Sequence, residues 1–232
     1  LTLIIIVVAG GIQVLQNRNY SLAERLIILG MFYQRVQNQI DAGQVEEIPR
    51  IIASYTNLLE GDELRAELAA IPAQVTIQLE LMKELADERV VNGVTSRAYL
   101  ECFAQFLRGV QYIREATVEE VAARYQEAEE TYYRPFMAGR EHILENYLVN
   151  YVFKNLFPFS GEKNLFENYI MMVVHYALIK MHLIGMAAFH QDLTDEVVIK
   201  LIYSFARVVE HSPQYLQHVL RLLKDNGYDT MA

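Results

Sequence analysis

The 232-residue sequence has one cysteine, no tryptophan and five prolines, and its 20 lysines and arginines are outnumbered by 29 aspartates and glutamates. A lone cysteine, Cys102, excludes an internal disulfide, a cysteine-rich zinc module and a cysteine-held iron-sulfur cluster within this chain. It lies in RAYLECFAQFL, whose apolar neighbours predict a buried, inert thiol, and this cysteine usage fits a reducing cytoplasm. The net charge of -9 and the absence of any basic run argue against nucleic acid as partner, because that affinity rests on clustered Lys and Arg. An acidic surface mainly keeps a protein in solution and tolerates a lysine-bearing, basic partner. No phosphate loop, dinucleotide-binding glycine fingerprint or nucleophile elbow occurs.

Long uninterrupted apolar runs are also missing. The opening LTLIIIVVAGGIQVL meets Gly10, Gly11 and Gln13, too soon for a membrane span, and lacks the basic flank of a secretory signal. With no initiator Met, it reads as a buried element beginning inside a longer parent chain. Its β-branched residues leave helix and strand both open over residues 1–14. The second apolar stretch, Tyr169 to Phe189, is interrupted by His175, Lys180 and His182, which predicts a core helix and no membrane partner.

What the chain has is 53% hydrophobic content, enough for a sizeable core, and helix signals from end to end. Ser21 with Glu24 forms a capping box before a stripe of Leu22, Leu26, Leu29, Tyr33, Val36 and Ile40, closed by Gly43. Pro49 suits a helical first turn, Pro72 a break or kink, Gly93 a stop, and Thr95 or Ser96 the next start. Thr117 with Glu120 makes a second capping box, and the polar stretch before it suggests an N-terminal helical subdomain over 1–116 and a C-terminal one over 117–232, unless both form one domain. Pro158, Ser160 and Gly161 should end the helix that begins before Glu145. Beyond it the pattern predicts an apolar helix over about 165–190, an amphipathic helix after Thr194 with Val197, Val198, Leu201, Ile202, Phe205, Val208 and Val209 on one stripe, and a short helix after Pro213. The fold class is all-α, a multi-helix bundle with the 165–190 helix central.

Within ENYLVNYVFKNLFPF, Asn146 and Asn150 share a helix face that Phe153 and Phe157 continue, while Tyr147, Tyr151 and Lys154 form the adjoining one. Two amides beside aromatics can read a polar edge of a ligand; the simpler expectation is that they are buried and hydrogen-bonded to neighbouring helices. His175 and His182 lie seven apart near one helix face, with His190 beyond, a spacing that favours core histidines over a metal site, so no metal ligands are assigned. The 15 tyrosines include Tyr132 and Tyr133, whose rings could surround a lysine ammonium but more simply pack into the core. The acidic run Glu127 to Glu130 reads as a solvated helix face.

The segments LQNRNYSLAERLIILGMF, VEEIPRII, HILENYLVNYVFKNLFPF and VVHYALIKMHLIGMAAFH, with the ending VVEHSPQYLQHVLRLLKDNGYDTMA, closely resemble the C-terminal part of the bacterial flagellin lysine N-methylase family. NYLVNYVFKNLFPF is the most specific of them. The resemblance implies transfer of methyl groups from S-adenosylmethionine to flagellin lysines, by an enzyme whose cysteine-rich motif holds an iron-sulfur cluster. That motif lies upstream of the matching region in the family, so the chain resembles a fragment expected to bind neither cofactor completely and to lack activity alone. The partners implied are flagellin and the missing cysteine-rich part of the same protein. The resemblance also implies that Asn146, Tyr147, Asn150, Tyr151 and Lys154, and secondarily His175, Tyr176 and Lys180, line or support the face meeting substrate or cofactor, with no catalytic base assigned. The alternative is a non-catalytic all-helical interaction or ligand-sensing domain.

Overall fold

The computed structural model describes residues 2–61, 63–71, 74–91, 96–154, 164–209 and 213–228. Among them there are helices and no strand. The expected breaks at Pro72, Gly93, Thr95, Pro158, Ser160 and Gly161, and the position of Phe157, lie outside the described residues. In chain order the helices are α1 (Thr2–Leu15), α2 (Leu22–Asp41), α3 (Ile48–Glu60), α4 (Glu63–Ala69), α5 (Val75–Val91), α6 (Arg97–Gly109), α7 (Val118–Ala128), α8 (Arg134–Met137), α9 (His142–Lys154), α10 (Leu165–His190), α11 (Asp195–Val208) and α12 (Pro213–Asp225). They fall into two compact units, the first built from residues 1–72, 141–173 and 222–232 and the second from 73–140 and 174–221. The polar stretch before Thr117 lies within the second unit.

In the first unit α1 packs against α2, α3 and α9. The β-branched run of α1 is helical because its tertiary partners outweigh a weak strand preference. Gly11 permits close approach to α2: a Cβ there would stand 2.0 Å from the Tyr33 hydroxyl oxygen. The α2 stripe turns inward as its period requires, with Leu22, Leu26, Leu29, Tyr33 and Val36 buried, and the Ser21 capping box forms with both of its hydrogen bonds. Pro49 sits in the first turn of α3. The start of α10 is capped twice: Asn164 Oδ1 accepts from Phe166 N at 2.8 Å, and the buried Gln37 Oε1 accepts from Leu165 N at 2.7 Å.

In the second unit α6 packs against α11 and α5 against α7. Ser96 caps α6, and Thr117 with Glu120 completes the second capping box at α7. The backbones of α6 and α10 touch where Gly109 faces Gly185; a Cβ on Gly109 would stand 1.8 Å from the Gly185 carbonyl oxygen, so neither position has room for a side chain. By length and composition α10 could cross a membrane, yet 78% of its most apolar window is buried within the protein. It is the central apolar core helix of an all-α fold.

Candidate functional site

On α9 the core face is claimed by Leu144, Leu148 and Val152, spaced four apart, and their burial turns the opposite side of the helix outward. Asn146, Asn150 and Lys154 are exposed, Phe153 is 61% exposed, and Tyr147 and Tyr151 are half-buried at the edge of this face. The simpler expectation of buried asparagines is therefore wrong. Apolar residues at every fourth position satisfy the core without them, leaving two amides and a phenyl ring facing solvent.

Glu145 is the polar group that α9 does bury. Its Oε1 accepts from Arg18 Nη2 at 2.9 Å, and its Oε2 accepts from Arg18 Nε at 3.1 Å and Arg25 Nη1 at 2.7 Å. Arg25 is completely buried on α2, where it also donates to the Leu15 carbonyl at 2.6 Å and to Glu141 Oε2 at 3.1 Å. The Arg18 guanidinium, whose hydrogen bonds act most strongly, holds the Glu145 carboxyl below the usual carboxylate range despite the opposing effect of burial; Arg25 acts in the same direction. Two arginines and two glutamates thus fix α9 against α1 and α2. Sequence reasoning missed this group because its members stand far apart in the chain, and only the presence of charges within apolar helices hinted at it.

The remaining candidates, His175, Tyr176 and Lys180, belong to the second unit. His175 is buried edge-on against Phe205. His182 is enclosed by the rings of Tyr99, Phe103 and Phe106 at 5.5 to 5.7 Å, with Nδ1 2.7 Å from the Leu178 carbonyl oxygen. Burial pushes its pKa down to about 4, so the imidazole is neutral near pH 7. Neither ring lies on an exposed face, which makes both core histidines. His190 is exposed, with Nε2 3.3 Å from Gln105 Oε1.

Lys180 behaves differently. Its Nζ stands 2.8 Å from Glu129 Oε1 and 5.8 Å from the centre of the Tyr133 ring. Glu129 and Tyr133 bound a π-helical turn between α7 and α8, closed by the Arg134 N–H donating to the Glu129 carbonyl. Tyr125, one turn earlier, has its hydroxyl pKa pushed up by burial first and then by the charges of Glu129 and Tyr176. The acidic run is therefore only partly solvated: the Glu129 side chain is 14% exposed and already paired.

Across residues 11–232 the sequence matches the model of the FliB lysine N-methylase C-terminal domain. The chain belongs to that family. Neither a curated protein nor a solved structure matches it. The family supports a methylase-related role. The donor set here does not suit an iron-sulfur cluster: the single cysteine is buried, with Sγ 3.9 Å from Ser204 Oγ, and no three potential metal ligands converge among the described residues. A recess lined by Gly10, Gln13, Phe32, Ile52, Tyr55 and Thr56 is too narrow to admit water, far short of a nucleoside.

Proposed function

We propose that this domain is the substrate-recognition and scaffold part of a cytoplasmic protein lysine N-methyltransferase that methylates flagellin lysines using S-adenosylmethionine. The methyl donor and the iron-sulfur cluster are held mainly by the cysteine-rich part of the same enzyme, and no step of the chemistry is assigned to residues of this domain. The observation that carries the reading is the outward face of α9. Asn146, Asn150 and Phe153 are exposed on a helix whose orientation is fixed by buried ion pairs. Amides displayed in this way can bond the backbone or polar side chains of a partner without first unfolding anything, and an exposed phenyl ring adds apolar contact. Tyr147, Tyr151 and Lys154 extend the same surface.

In the full-length enzyme, Asn150→Ala should fold as the parent does and methylate flagellin poorly, with the loss appearing as a raised KM. Circular dichroism checks the fold and mass spectrometry of flagellin the methylation. Normal methylation kinetics would remove Asn150 from the recognition face.

A further inference from the structure

We propose that Glu129, Tyr125, Tyr133 and Tyr176 form a receptor for a primary or methylated alkylammonium group, filled in this structure by the side chain of Lys180. Two helix faces build it. Tyr125 and Glu129 stand four apart on one, Tyr176 and Lys180 four apart on the other, and the π-helical turn adds Tyr133 beside Glu129. The result is a carboxylate in contact with an ammonium, with phenol rings around them: the charge and the ring quadrupoles both favour a cation, and the rings tolerate methyl groups on it.

The receptor is more enclosed than its occupant. The Glu129 side chain is 14% exposed, whereas that of Lys180 is 28% exposed. Lysine carries its charge on a flexible four-carbon stem, so Lys180 can withdraw into solvent while its helix stays in place. Charge then balances: Glu129 exchanges one ammonium for another, and Lys180 keeps its proton in water. Arg134 cannot substitute fully, because its Nε is 3.9 Å from Glu129 Oε1 and its Nη1 is engaged by Glu130 at 3.0 Å. The natural occupant rests on the methylase reading: a lysine of a protein substrate, or its methylated product, would take the place that Lys180 now holds.

A tethered lysine outcompetes a free amine, so the experiment vacates the site. In the 232-residue chain, Lys180→Ala should bind ethylammonium, followed through tyrosine ring resonances, at least about tenfold more tightly than the parent. Lys180→Ala combined with Glu129→Gln should lose that gain. Equal binding by parent and Lys180→Ala would overturn the proposal. Should the alanine variant lose helicity, Lys180→Gln serves in its place. The unmodified chain offers a second readout: tetramethylammonium, against sodium at equal ionic strength, should accelerate acetylation of Lys180 measured by mass spectrometry. An unchanged rate would likewise overturn it. Neither readout involves methyl transfer, so failure here leaves the methylase reading standing, and an enzyme inactive on flagellin leaves this site standing.

Discussion

Glu145 in the first unit and Glu129 in the second both sit beside tyrosines within helices, and they use their charge in opposite ways. Glu145 is buried, and both of its oxygens are taken by two guanidiniums, one of which is itself sealed from solvent. Glu129 has a half-exposed lysine for its principal partner. A carboxylate bonded from both sides by planar, always-charged forks is a fixture, because removing any member strands a buried charge. A carboxylate facing one ammonium on a flexible stem is exchangeable. The number of partners and the burial of each decide which.

Breaking the first site should have the largest effect. Glu145→Ala leaves Arg25 buried without its main counter-charge and is expected to cost about 3 to 5 kcal/mol, read as a lowered urea midpoint at unchanged slope. A cost under about 1 kcal/mol would show that Arg25 relaxes to water and does not pin α9.

Acid titration separates the two units next. His182 is neutral in the fold with a pKa of about 4, while an unfolded histidine titrates near 6.5, so unfolding takes up a proton between those values. Stability contributed by the neutral ring should fall as pH drops from about 6.5 to 4, by about 3 kcal/mol in all. His182→Phe should flatten that window. The Glu145 carboxyl is depressed in the fold, so its contribution is present above the ordinary glutamate range and disappears only as pH falls through its lower folded value. The Glu145 loss therefore occurs at lower pH, and it should persist in His182→Phe.

The smaller effects sharpen the contrast. Lys180→Ala should destabilise by no more than about 1 kcal/mol, because its pair is partly solvated and a lysine stem gains freedom when released. A larger loss would make that pair a brace like the one at Glu145. The smallest stability effect, below about 0.5 kcal/mol, is expected for Asn150→Ala, whose side chain is exposed; its predicted consequence is for flagellin methylation.

The sequence declares features that are local. The Ser21 and Thr117 capping boxes, the first-turn Pro49 and the period of Leu22, Leu26, Leu29, Tyr33 and Val36 each need only a few residues, and all form as their patterns require. The class of α1 was not legible, because β-branched residues are nearly neutral until neighbours are known. The outward asparagines of α9 were readable in principle: Leu144, Leu148 and Val152 already mark the inner face, but the surrounding aromatic residues disguised it. The pairing of Arg25 with Glu145 spans 120 positions and that of Lys180 with Glu129 joins separate helices, and no local pattern reports such partners.

The π-helical turn at EETYY has one more consequence. Such a turn amounts to one residue added to an α-helical register, and an α-helix advances about 100° per residue. Removing a single residue from EETYY would let the helix close in ordinary register and swing all that follows by about that angle. Tyr133 and the buried Met137 would then leave their present sides of the helix together. One codon thus sets whether a tyrosine stands beside the Lys180 ammonium, and a single in-frame deletion is the simplest change by which a related sequence would lose it.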